Sequence, residues 1–154
     1  VEAEAAVLGW IDADPKALYE AGIRASFGFQ STYHTDVTKI GGETAVEDYL
    51  ASEKVVLSAD KETALKQIVT QRFLAGFMTD AIESWSDWRR YNIPYMPLTT
   101  WQIQQRNEDY PYRLTYDPTE KETNEEAVNA AIQQWLGGTD GLWSRVWWDV
   151  ADNN

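Results

Sequence analysis

The chain has 154 residues, with 25 acidic against 13 basic side chains, a formal net charge of -12 and a pI of about 4.4. That balance repels phosphates and argues against nucleic acid or an anionic membrane surface as the main partner. A hydrophobic fraction of 44%, an aromatic fraction of 13% and 8 Trp argue against disorder, and the lack of Cys removes a disulfide frame and a thiolate metal site.

Val1 to Leu8 reads as an Ala-rich helix with no N-cap residue ahead of it. With a first residue other than Met, this predicts a C-terminal piece of a longer protein. Gly9 suits the position just past a helix, where φ is positive. Asp14-Pro15 restarts the chain, Asp14 as N-cap and Pro15 in the first turn. The second helix is expected to reach about Phe27. Tyr19, Ile23 and Phe27 make its bulky face; Leu18, Ala21, Gly22 and Ala25 make a small-residue face. Gly22 inside a helix costs about 1 kcal/mol against Ala, so close approach to the first helix is expected there. Residues 1–27 thus form an αα-hairpin. One such pair cannot bury both its faces, so its neighbour is the rest of the chain or sequence outside it.

Glu43 to Ser52 reads as a short helix with Val46, Tyr49 and Leu50 inward. Over residues 60–90, Leu65, Ile68, Val69, Phe73, Phe77, Ile82, Trp85 and Trp88 recur at helical spacing. About 30 residues at 1.5 Å each give one helix of ~45 Å, capped by Ser58 or Asp60 and bent at Gly76. Trp85 and Trp88, one turn apart, are expected in the core. Arg89 and Arg90 are expected to cap carbonyls or to pair with Glu83, Asp87 or Asp149. Residues 91–122 look irregular, punctuated by Pro94, Pro97, Pro111 and Pro118 and rich in Tyr and Trp. Residues 124–149 read as a helix capped by Asn124 and stopped by Gly137-Gly138. An aromatic tail with Trp143, Trp147 and Trp148 follows, expected to dock.

Catalysis finds little support. Glu83 and Asp87 could meet the ~5–5.5 Å spacing of a retaining glycosidase, but one helix face presents both carboxyls from the same side of a bond. Asp12-Ala13-Asp14 lacks the later Gly and Glu of a calcium loop, and N-capping by Asp14 accounts for it. His34 has no His or Cys partner for a transition metal. No catalytic residue, metal ligand or cofactor is assigned. The candidate ligand contacts are rings beside amides: Trp101 with Gln102, and Tyr110 and Tyr112 near Asn107 and Asp109. A sugar ring stacks on such faces while amides and carboxylates take its hydroxyls. The competing reading of these rings is that they pin a long loop to the helices.

Several separated stretches also resemble the SusD/RagB family, its C-terminal part. They are Glu2-Ala3-Glu4-Ala5-Ala6 with Gly9-Trp10, Tyr19 to Ser26, Ile68-Val69-Thr70-Gln71-Arg72-Phe73, and Glu83 to Arg90. Arg113-Leu114-Thr115-Tyr116 with Pro118, Glu120, Asn124 and Asn129 follows, then Trp147-Trp148-Asp149. The chain departs from the family pattern at Tyr91, which replaces a Thr, at Thr115, which replaces a Pro, and at Asp117, inserted before Pro118. The resemblance implies a mainly α fold with residues 1–27 as a TPR-like helix pair, within a considerably longer protein. It implies a non-catalytic lipoprotein on the outer membrane surface of Bacteroidota, anchored through a lipidated Cys that this chain lacks. It implies capture of oligosaccharide, or of peptide in the RagB branch, over a SusC-like TonB-dependent barrel. No binding residue carries over by motif. A TPR-like protein-interaction module is the alternative of a different class, although its Ala- and Gly-rich groove suits tight packing better.

Overall fold

A computed structural model describes residues 1–33, 44–100 and 110–149. The fold is mainly α, and no strand occurs among the described residues. The helices are α1 (Glu2–Leu8), α2 (Pro15–Tyr33), α3 (Ala45–Leu50), α4 (Lys61–Ala75), α5 (Ala81–Tyr91), α6 (Pro118–Thr123) and α7 (Glu125–Trp135). The chain forms two compact units, Val1–Asp87 and Trp88–Asn154, whose boundary falls inside α5.

In the first unit, α1 packs on α2 and α4, and α2 also packs on α3 and α4. Gly9 takes φ 78°, and the N–H groups of Gly9 and Trp10 return to the carbonyls of Ala6 and Ala5, closing α1. Asp14 caps α2 through a 2.9 Å bond from the Lys16 N–H. The bulky stripe of α2 is the core: Tyr19 and Ile23 are buried with Ala3, Val55 and Ile68, and Phe27, Val46, Tyr49 and Leu50 pack around them. The Tyr19 hydroxyl donates to the Val55 carbonyl at 2.8 Å, and burial pushes this phenol up to about 12. On α4, Ala64, Ile68 and Val69 are buried, and Asp60 caps the helix by accepting from the Thr63 N–H.

Three expectations fail in this unit. The second helix does not stop near Phe27 but runs to Tyr33. A single Gly28 costs about 1 kcal/mol, too little to end a helix. The Ser31 and Thr32 hydroxyls bond back to the Gly28 carbonyl within the continuing turn. Residues 60–90 are not one helix either. After Ala75 the N–H groups of Thr79 and Asp80 both return to the Gly76 carbonyl, Met78 takes φ 62°, and Asp80 then caps α5 through the Glu83 N–H. The turn changes the phase of the apolar pattern, leaving Phe77 67% and Ile82 65% exposed. Lastly, Gly22 does not mark a close contact: a Cβ built there meets nothing within 4 Å.

In the second unit, α6 packs on α7. The irregular stretch ends earlier than expected, because Asp117-Pro118 starts a helix as Asp14-Pro15 does: the Asp117 carboxylate accepts from the Thr119 N–H at 2.8 Å. The fully buried hydrophobic residues among those described in this unit are Trp88 and Val128. Asp140 gathers the Arg113 guanidinium, the Lys121 ammonium at 2.7 Å and the Tyr116 N–H at 3.1 Å.

Candidate functional site

The second unit is built around an aromatic and guanidinium cluster. Buried Trp88 meets Tyr110 edge-on, with centroids 5.4 Å apart, and Tyr112 in a stacked arrangement at 6.3 Å. Arg145 lies over the Tyr112 ring at 4.0 Å and pairs with the Asp149 carboxylate at 2.8 Å. Arg89 donates to the Tyr112 carbonyl at 2.7 Å and lies 5.2 Å from the Trp148 ring centroid. Such cation–π contacts contribute roughly 0.5–2 kcal/mol each, the larger value where water is excluded. Trp88 therefore holds the core position expected of it, while Trp85 is half-buried.

Two of the four nominated contact residues, Tyr110 and Tyr112, come together on this cluster. Their rings hold down the segment that carries them, and the Tyr110 hydroxyl also reaches the Pro97 carbonyl at 3.3 Å. Trp101 and Gln102 lie outside the described residues, as does His34. The tail docks as expected, and it does so through its backbone: the Leu142 carbonyl accepts from the Tyr112 and Arg113 N–H groups. Its indoles are covered unequally: Trp147 is 77% exposed, and Trp143 and Trp148 are nearly half exposed.

The carboxylates of the first unit serve packing. Arg72 of α4 grips both oxygens of Asp87 on α5, one of them at 2.5 Å, and reaches Glu4 of α1 at 2.8 Å. Glu4 is 5% and Asp87 16% exposed at the side chain. Desolvation pulls the Arg72 pKa down, but the bonds to Asp87 and Glu4 outweigh it, and the net shift is upward. Asp87 thus pairs with Arg72 rather than with Arg89 or Arg90, and Asp149 with Arg145. The bidentate clamp on Asp87, with Glu83 exposed, is the wrong arrangement for two carboxyls flanking a glycosidic bond. No group of three or more potential metal ligands occurs among the described residues.

The first unit also holds an open groove of about 760 Å³ between α1, α2 and α4. Leu18, Ala21, Gly22, Ala25 and Phe27 of α2, Leu74 and Ala75 of α4, and Val1 are among the residues that line it.

Residues 1–149 match the model of the SusD-like family, described as Susd and RagB outer membrane lipoprotein. Solved structures agree. A SusD homologue of Bacteroides fragilis NCTC 9343 matches with a TM-score of 0.82 at 30% identity, over 96% of this chain and 32% of its own. An outer membrane protein of Bacteroides vulgatus ATCC 8482, described in connection with nutrient binding, matches at 0.81 and 28% identity, over 96% and 32%. A chitin-binding protein matches at 0.74 and 28% identity, over 96% and 31%. This chain therefore spans about a third of the length of these structures. No curated protein matches it. With a family match over nearly its whole length and the same helical fold in the solved relatives, the chain belongs to the SusD-like family of outer membrane lipoproteins.

Proposed function

We propose that this chain is the C-terminal region of a longer surface receptor. The receptor captures glycan without transforming it and passes it to a SusC-like TonB-dependent barrel. The observation that carries the glycan reading is the water-facing indole set of the tail, above all Trp147 at 77% exposure. An exposed indole face suits the apolar side of a pyranose, and the family includes a solved chitin-binding relative. Trp101 and Gln102 add the same pairing of ring and amide, and Tyr110 and Tyr112 complete the proposed contact set, with Tyr112 also serving as support through Arg145 and Trp88. Clamping of Asp87 by Arg72 supports binding without catalysis.

Isothermal titration of the full-length receptor against chitooligosaccharides, other glycans and peptides tests this. Heat with a glycan, weakened about tenfold by Trp147→Ala or Trp101→Ala, is the expected result, since loss of one stacking partner costs about 1.4 kcal/mol. Silence with every glycan together with binding of peptides replaces the glycan reading by the peptide one. Cleavage of any saccharide by the purified receptor ends the non-catalytic reading.

A further inference from the structure

The segment that leaves α5 is held in a closed frame within the second unit. The Asn92 N–H donates to the Trp88 carbonyl at 2.6 Å, and Asn92 takes φ 53°, which turns the chain off the helix. Asn tolerates that left-handed conformation better than most residues. Further on, the Pro97 carbonyl accepts from the Tyr110 hydroxyl at 3.3 Å. The Tyr110 ring in turn packs edge-on against buried Trp88, 5.4 Å away. Trp88 therefore holds the start of the segment through its own carbonyl and the end through Tyr110. Pro94 and Pro97 each fix φ within it.

Tyr95 stands in this frame at 82% exposure, above the 77% of Trp147. Unlike Tyr110 and Tyr112, its ring holds no other described residue in place. Single exposed rings are common on protein surfaces and by themselves say nothing. The frame distinguishes this one, because a side chain on a braced segment loses little further freedom when a ligand settles on it. The chemistry suits a sugar on two counts. The ring face takes the apolar side of a pyranose, and the phenol hydroxyl can donate to and accept from sugar hydroxyls. Residues 92–98 carry no charged side chain, so nothing in the segment itself selects a carboxylate or sulfate.

We propose that Tyr95 is a further stacking platform of the second unit, a subsite for an uncharged sugar residue of the cargo. This rests on the glycan reading of the receptor.

The full-length receptor and its Tyr95→Ala and Tyr95→Phe variants are titrated calorimetrically with chito-, malto- and xylo-oligosaccharides and with oligogalacturonate. With the neutral sugar that the parent binds best, Tyr95→Ala is expected to weaken binding about tenfold, and Tyr95→Phe, which keeps the ring face, only about two- to threefold. All three proteins are expected to unfold in urea at the same midpoint, because the frame is closed by other residues. A Tyr95→Ala receptor that binds the neutral sugar as the parent does overturns the proposal. A lowered midpoint also overturns it, by making the ring a packing residue of the longer receptor. Weakening confined to oligogalacturonate overturns the uncharged class. The two readings fail separately. A parent silent with every sugar ends the glycan reading and this subsite with it, whereas a parent that binds sugar equally well without the Tyr95 ring ends the subsite alone.

Discussion

The two units are held together by different physics. The first buries Ala3, Tyr19, Ile23, Val55, Ala64, Ile68 and Val69 along the faces of three helices and the turn before α4. The second buries only Trp88 and Val128 among its described hydrophobic residues and adds guanidinium–ring contacts and the Asp140 clasp. An apolar stripe tolerates small changes at many positions, because its free energy is spread over buried area. A ring cluster concentrates it in a few groups. Trp88→Ala is therefore expected to have the largest effect, ~3–5 kcal/mol, located in the second unit. Hydrogen exchange resolved by peptide mass separates the units: faster exchange over residues 110–149 supports the contrast. Since the Trp88 indole N–H has no hydrogen-bond partner among the described residues, Trp88→Phe should lose packing alone and cost much less.

Next in size is Arg72→Met, which removes the guanidinium that bonds the buried carboxylates of both Glu4 and Asp87. Removing one member of a buried ion pair costs about 3–5 kcal/mol, and the 24% exposure of Arg72 places this case near the lower end. A urea titration followed by exchange over residues 1–87 measures it. The three members come from motif stretches that mark the family resemblance, Glu4, Arg72 and Asp87. Those stretches are legible as a pattern but not as a contact, because 68 residues separate Glu4 from Arg72. Ionic partners leave no period in a sequence.

The same contrast explains what the sequence could say about the fold. The stripe Tyr19–Ile23–Phe27, the inward Val46, Tyr49 and Leu50, and the caps at Asp14 and Asp60 all follow from local rules, and all hold. Gly76 stands out in the sequence as a bend, and α4 does end there; that it is a full break was concealed because the apolar spacing continues across the non-helical turn. In the second unit, Asp117-Pro118 carried a start signal that the surrounding prolines masked. Of the nominated contact rings, Tyr110 and Tyr112 could be recognised as aromatic loop residues, but their partners Trp88 and Arg145 are distant in sequence. The exposed indoles of the tail were legible only as hydrophobic residues, and hydrophobicity alone pointed them inward.

Acid and alkali should strain the two units in opposite ways. Burial raises the Asp140 carboxyl, but Lys121, Arg113 and the Tyr116 N–H outweigh it and hold it below the usual range. Its folded pKa is depressed, so its contribution is present above the unfolded value near 3.9 and is lost as pH falls through the folded one. Asp140→Asn should cost roughly 1.5–3 kcal/mol at neutral pH, the scale of a charged hydrogen bond, and flatten the acid limb of the second unit's exchange profile. Tyr19 has the opposite sign. Its folded pKa is raised to about 12 from 10.0, so its contribution is complete below 10.0 and is lost as pH climbs toward 12. Tyr19→Phe removes that alkaline loss in the first unit and costs about 1–2 kcal/mol at neutral pH, because the buried Val55 carbonyl loses its donor.

The smallest effect belongs to a pair that looks on paper like the Arg72 clamp. Arg24 and Glu47 are also a bidentate guanidinium and carboxylate joining two helices, α2 and α3. Their bond raises the arginine and lowers the glutamate, the same directions a buried pair would give. Yet the side chains are 43% and 59% exposed, so water and salt already solvate both charges before and after the pair forms. Arg24→Ala, Glu47→Ala and the double variant should therefore unfold in urea at midpoints indistinguishable from the parent at 0.15 M salt. A coupling between the two singles in that cycle would show that α3 depends on charge rather than on Val46, Tyr49 and Leu50, and would move the first unit toward the ionic class of the second.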